Sequence, residues 1–126
     1  MSRDHKKLRV FHDAHAVTTA IYRQTRDFPR NEVFGLQTQM RRAAVSVSCN
    51  IVEGNARNST RDYLRFLHIA LGSACELLYL MDLATELGLA SDKEWTEASS
   101  QCTAVVKPLQ RLTERVTAFA EAEDAP

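Results

Sequence analysis

Two histidines three residues apart, His12 and His15, and a row of polar residues at helical spacing, Gln39, Arg42, Ser46, Asn50 and Glu53, are the positions whose types and spacing bear on chemistry. Histidines at i and i+3 share one helical face and can fill two places in a metal's coordination sphere. The sequence implies no carboxylate or thiol partner to complete a site with them. The Glu-x-x-His pairs of ferritin-like sites are also absent, because no glutamate is followed by histidine at the third position. Both histidines are therefore read as solvent-facing, with no metal. Gly35, Gly54, Gly72 and Gly88 stand apart, so no glycine loop cradles a phosphate, and neither a nucleophile elbow nor an H-E-x-x-H pattern occurs. Ser46 could join an aspartate and a histidine in space, but any chain of this size offers such sets. No catalytic residue and no cofactor is expected, and the chain is read as a non-enzyme.

The polar row is the more unusual feature. At 100° per residue its members fall within an arc of about 80° beside the apolar face of one helix, so Arg42, Asn50 and Glu53 flank the core. Partly buried charges need partners, and Arg65, Ser73 and Glu76 on the following helix can supply them. Such a row is either a polar network that holds helix register or a subunit contact, or a pocket for an acidic or nucleotide group. Val45 and Val52, seven apart and outside both arcs, make an outward seam. Burial against another subunit explains it, and scattered surface valine is the alternative. Arg41, Arg42, Arg57, Arg61 and Arg65 gather around the end of the second helical pattern and the start of the third, the best candidates for RNA or DNA phosphate contact. Few aromatics interleave with them for base stacking, and Tyr63 and Phe66 fit the core pattern.

Four amphipathic patterns must position these groups. Val10, Ala14, Val17, Ile21 and Phe28, with Phe11, Thr18 and Tyr22 alongside, predict helix one over 8–27, broken by Phe28-Pro29-Arg30-Asn31 with Asn31 as the next cap. Val33, Leu36, Met40, Ala43, Val47 and Ile51 predict helix two over 31–54, ending near Gly54-Asn55. After a cap at Ser59 or Thr60, helix three over 60–88 carries one stripe of Leu64, Leu67, Leu71, Ala74, Leu78 and Met81. A second stripe of Tyr63, Phe66, Ala70, Leu77 and Ala84 requires burial against more than one neighbour, and Gly88 closes the helix. Ser91 and Glu94 match a capping box for helix four over 91–120, whose seam is Trp95, Ala98, Cys102, Val105, Leu109, Leu112, Val116 and Phe119. Pro108 predicts a kink in it, and the acidic tail after Phe119 is expected to fray. Short connections then give an all-α, up-down-up-down antiparallel four-helix bundle.

Composition agrees with a single domain over 1–126 with short flexible ends. The chain has 126 residues, 44% hydrophobic and 25% charged, with four Gly and three Pro, too few turn-formers for a β-sandwich. No apolar run approaches the roughly 18 residues of a membrane span and no signal peptide is evident, so a cytoplasmic protein without membrane contact is expected. Cys49, Cys75 and Cys102 lack CxxC spacing and are read as buried, reduced thiols. Net charge is zero, but residues 1–65 hold 12 Lys/Arg against 6 Asp/Glu, and residues 66–126 hold 4 against 10. Antiparallel packing sets basic helices beside acidic ones.

Linked motifs run in order through Phe28-Pro29-Arg30-Asn31-Glu32-Val33-Phe34-Gly35-Leu36, Gln39-Met40-Arg41-Arg42-Ala43-Ala44-Val45-Ser46 and Asn50-Ile51-Val52-Glu53-Gly54. They continue in Tyr63-Leu64-Arg65-Phe66-Leu67, Ile69-Ala70 and Gly72-Ser73-Ala74-Cys75-Glu76-Leu77. With these motifs the chain closely resembles, over about residues 8–120, the 23S rRNA intervening-sequence proteins, also called four-helix-bundle proteins. The resemblance implies an up-down bundle assembling as a ring-like homopentamer. It also implies kinship with the accessory protein of diversity-generating retroelements, which partners a reverse transcriptase and nucleic acid. No enzymatic activity is established for the family. Arg42, Ser46, Asn50, Glu53, Ser73 and Glu76 match its pattern, whereas the zero net charge departs from the strongly basic retroelement relatives. The resulting expectation is a homo-oligomeric scaffold or interaction protein, with a protein partner or a basic nucleic-acid surface as further readings.

Overall fold

The apolar spacings become four helices in the computed structural model, which describes residues 4–32 and 35–126 apart from the side chains of Asp92 and Glu94. Helix α1 spans Arg9–Gln24, α2 Leu36–Asn55, α3 Thr60–Glu86 and α4 Asp92–Asp124, with single 3-10 turns at His5–Lys7 and Arg30–Glu32. Packing is cyclic: α1 and α3 each lie against both α2 and α4, and neither diagonal pair meets. Contact registers give the directions. Thr18 meets Ser48 while the later Thr25 meets the earlier Gln37. Ser46 meets Ser73 while Gly54 faces Tyr63, and Thr60 meets Glu123 while Met81 meets Ser99. Neighbours in the chain therefore run antiparallel, as short connections require.

The core is the predicted one. Ile21, Met40, Ile51, Leu67, Leu77, Met81 and Leu109 are fully buried, each worth about 1.5–3 kcal/mol. Both stripes of α3 are used, Leu67, Ala74 and Met81 with Tyr63, Ala70, Leu77 and Ala84. By length and composition α3 could cross a membrane, contrary to the sequence reading, and 33% of its apolar window is buried in the bundle, where it packs between α2 and α4.

Several boundaries differ from expectation. Helix α2 starts at Leu36, because the Glu32 carboxylate accepts the Leu36 N–H at 3.1 Å and so caps it, while Asn31 sits in the preceding 3-10 turn. Val33, counted in the apolar pattern of helix two, and Phe34 lie outside the described residues. Ser59 caps α3 by accepting the Asp62 N–H at 3.0 Å. At its other end Gly88 has φ +73°, with Leu89 N–H on the Ala84 carbonyl and Gly88 N–H on that of Thr85, a Schellman stop that favours glycine.

Helix α4 passes through Pro108 unbroken and, instead of fraying after Phe119, continues to Asp124. Phe119, the last residue of the predicted seam, is 63% exposed, and Ala120 is buried in its place. A straight helix drifts by about 20° per heptad against a 3.5-residue repeat, enough over this length to move the contact on by a residue.

Gly54 does not stop α2 by a left-handed turn. It lies inside the helix, where an added Cβ would stand 3.1 Å from both Phe66 Cβ and Tyr63 Cδ1. Gly→Ala inside a helix normally gains about 1 kcal/mol. Here overpacking outweighs that gain, so Gly54→Ala is expected to lose about 1–2 kcal/mol, while Gly72→Ala, with nothing within 4 Å, is stabilising. Thermal unfolding followed by circular dichroism checks the pair; equal stabilisation by both would refute the close approach of α2 and α3.

Candidate functional site

The polar row divides between a lattice and an exposed margin. Ser46 Oγ lies 2.7 Å from Ser73 Oγ across the α2–α3 seam, and Asn50 Nδ2 donates to the Ser46 carbonyl at 2.8 Å and to Ser46 Oγ at 3.0 Å. These three half-buried groups satisfy one another and tie the helices in register. Gln39, Arg42, Glu53 and Glu76 are exposed. The expectation that Arg42 and Glu53 sit partly buried therefore fails, and of the row only Ser46 and Asn50 are half-buried, beside Ser73 of α3. Arg65 turns to Asp62 and Ser73 to Ser46, so Arg42 draws a partner from neither.

The five candidate arginines form two separate groups. Arg41 belongs to the first, from which Gln37 and Arg41 reach over the C-terminal end of α1. Arg41 Nε donates to Thr25 Oγ1 at 2.9 Å and its Nη2 to the Tyr22 carbonyl at 3.2 Å, with the guanidinium 4.5 Å from the Tyr22 ring centre. Gln37 Nε2 donates to the Thr25 carbonyl at 2.7 Å. A helix end leaves carbonyls without intrahelical donors, and a cation there also suits the helix dipole. The sequence reading missed Thr25 and Gln37. The signal was available, since the end of α1 before Phe28-Pro29 had to find donors.

The second group lies at the α2–α3 corner. Arg57 pairs with Glu53 at 3.3 Å, Arg65 approaches Asp62 at 3.9 Å, and Arg61 pairs with Asp124 from the end of α4. The guanidiniums of Arg57 and Arg65 lie 4.8 and 4.5 Å from the centre of the Phe66 ring. Phe66 is thus half-buried and shared between core and corner, where the sequence pattern gave it to the core alone.

Val45 is 36% exposed and Val52 half-buried, with Cys49 exposed between them in sequence. Tyr22, 42% exposed, joins Val45, Thr38, Arg41 and Arg42 around an open groove of about 600 Å³ that reaches Ser46 and Asn50. The structure therefore sets Val45, Ser46 and Asn50 of the polar lattice, and one arginine pair around a single groove, with Val52 outside its lining.

His12 and His15 are exposed as predicted. His12 Nε2 lies 2.6 Å from the Lys6 carbonyl and His15 stacks on Phe11. No group of three potential metal ligands occurs among the described residues. Of the cysteines only Cys102 is buried, while Cys49 and Cys75 are exposed, which corrects the reading of three buried thiols. Cys75 falls on the outer side of α3, two stripes of which already fill the core. Burial, helped by nearby Cys75, pushes the Cys102 thiol up to about 12, and its Sγ contacts the Ala74 carbonyl at 3.4 Å.

A family model described as the 23S rRNA-intervening sequence protein matches residues 6–111. The chain belongs to that family. Among solved structures, a protein of unknown function from the S23 ribosomal protein family of Bacteroides thetaiotaomicron is similar, with a TM-score of 0.77 and 21% identity over 83% of this chain and 95% of that one. At that identity the likeness establishes the fold. No curated protein matches the sequence.

Two outcomes follow for this intervening-sequence family member. Arg41→Ala removes the cap of α1 and is expected to cost about 1–2 kcal/mol in urea unfolding, with Arg41→Lys a poor rescue because ammonium lacks the planar fork. Full stability in Arg41→Ala would mean the cap is ornamental. Cys102 binds its proton more tightly folded than unfolded, so stability holds below the ordinary thiol value of 9.0 and declines by about 1.4 kcal/mol per pH unit as pH rises from there toward about 12. Cys102→Ser should flatten that decline, and native Cys102 should resist thiol reagents that label Cys75.

Proposed function

We infer that this chain is a non-enzymatic, homo-oligomeric interaction module, assembling through the outer surface of α1 and α2. The observation that carries this reading is the exposed apolar pair Tyr22 and Val45 on one open groove, with half-buried Val52 further along α2. A monomer gains nothing from exposing them, whereas a second copy would remove them from water. Arg41 holds the Tyr22 ring from one side, so the surface is ordered before any partner arrives, which lowers the entropic cost of association. The resemblance to intervening-sequence proteins supports a ring of five subunits, a closed set of head-to-tail contacts.

A second reading, an RNA- or DNA-binding protein, is favoured by the corner of Arg57, Arg61 and Arg65. It requires binding that weakens steeply with salt.

Size-exclusion chromatography with light scattering tests assembly. The expected mass is a multiple of 14.2 kDa, five-fold for the ring. Val45→Asp with Val52→Asp should reduce it to one subunit at unchanged helicity. An oligomer that survives both substitutions would overturn the assignment of this surface. A 260/280 nm absorbance ratio on the same peak reports co-purifying nucleic acid.

A further inference from the structure

The last turns of α4 lie beyond the span that defines the family, since the match ends at residue 111 and the helix runs on to Asp124. They are nonetheless anchored. Ala120 is buried, Thr60 Oγ1 donates to Glu123 Oε1 at 2.7 Å, and Arg61 pairs with Asp124. After Arg115 this extension carries only acids among its charged residues, Glu121, Glu123 and Asp124. It comes to rest at Thr60 and Arg61, between Arg57, which pairs with Glu53, and Arg65, which approaches Asp62.

Those three arginines have a chemistry of their own. Arg61 and Arg65 are one turn apart on α3, and Arg57 and Arg65 are held as near neighbours against the Phe66 ring. Guanidiniums in a row match successive phosphodiester groups, and an aromatic edge among them suits a neighbouring base. We propose that the acidic end of α4 is a built-in competitor at a nucleic-acid-binding corner of Arg57, Arg61 and Arg65, holding Arg61 through Asp124 so that a strand engages that arginine only by displacing it.

The hold is weak enough for this. The Arg61 and Asp124 side chains are 69% and 53% exposed, and exposed ion pairs contribute about 1 kcal/mol or less. A strand with several phosphates releases counterions at each arginine it engages, whereas the α4 end offers three carboxylates already tethered in place. The corner uses side chains other than those lining the assembly groove, although Val52 of the assembly face adjoins Glu53, the partner of Arg57. The proposal therefore goes beyond assembly and stands without it.

Fluorescence anisotropy with a labelled single-stranded RNA at low salt provides the test, using the full chain. The variant Glu121→Gln/Glu123→Gln/Asp124→Asn is expected to bind about tenfold more tightly than the parent, with a steeper salt dependence. Adding Arg57→Gln/Arg61→Gln/Arg65→Gln should erase the gain. Asp82→Asn/Glu86→Gln/Glu97→Gln removes the same charge from exposed sites elsewhere and should give little gain. Equal binding, or equal lack of binding, by parent and uncovered variant would overturn the proposal, as would a gain shared by the distant control or one that survives loss of the arginines. Fraying of the last turn frees Arg61 equally, so the test does not depend on that turn staying helical.

Discussion

The close approach of α2 to α3 governs the rest of the molecule. At Gly54 the backbone of α2 comes so near Tyr63 and Phe66 that a methyl group would stand 3.1 Å from each and press them aside, and midway along the same seam Ser46 and Ser73 share a hydrogen bond. Two fixed points leave one sliding register available to the pair. That register sends Met40, Ile51, Leu67 and Leu77 inward, and it decides which residues of α2 remain outside. The outer face of α2, with Val45, Cys49 and Arg42, is what the contacts with α1 and α3 leave over.

Helix α2 thus uses its circumference three ways. Toward α1 it supplies Gln37 and Arg41 to a helix end that would otherwise keep bare carbonyls, and Ser48 meets Thr18 at 2.9 Å. Toward α3 it offers a glycine and small polar groups. Outward it presents Val45 beside Tyr22 of α1, whose ring is braced by Arg41. One side chain, Arg41, therefore links bundle stability to the order of the surface read here as the assembly face.

Much of this was legible in the sequence. Apolar spacing placed all four helices and nearly every core position, because burial in a bundle imposes the helical period directly. Ser59 as one of two offered caps, Gly88 as the stop of helix three, and Ser73 as a partner for the polar row followed from residue type. What was illegible depended on distance between elements. Gly54 read as a stop signal, since nothing in a single chain shows that another helix crosses there. Arg41 read as a phosphate ligand, because an arginine's partner on a helix sixteen positions away leaves no periodic trace. The polar row read as uniformly half-buried, but only Ser46 and Asn50 of it are so placed. The end of α4 read as a frayed tail, although Ala120 and the contacts of Glu123 and Asp124 hold it to the start of α3.

Family membership accounts for the fold without assigning a task, and the central proposal concerns a surface: the outer face of α2 is proposed to be covered by another copy of the chain. Cys49 lies on that face between Val45 and Val52, while exposed Cys75 lies on α3, giving each molecule a reporter and an internal reference. The most direct measurement is the labelling rate of the two thiols as protein concentration is raised through the association range. The account predicts that Cys49 becomes progressively protected while Cys75 labels at a constant rate. Equal rates for Cys49 in dilute and concentrated protein would contradict it.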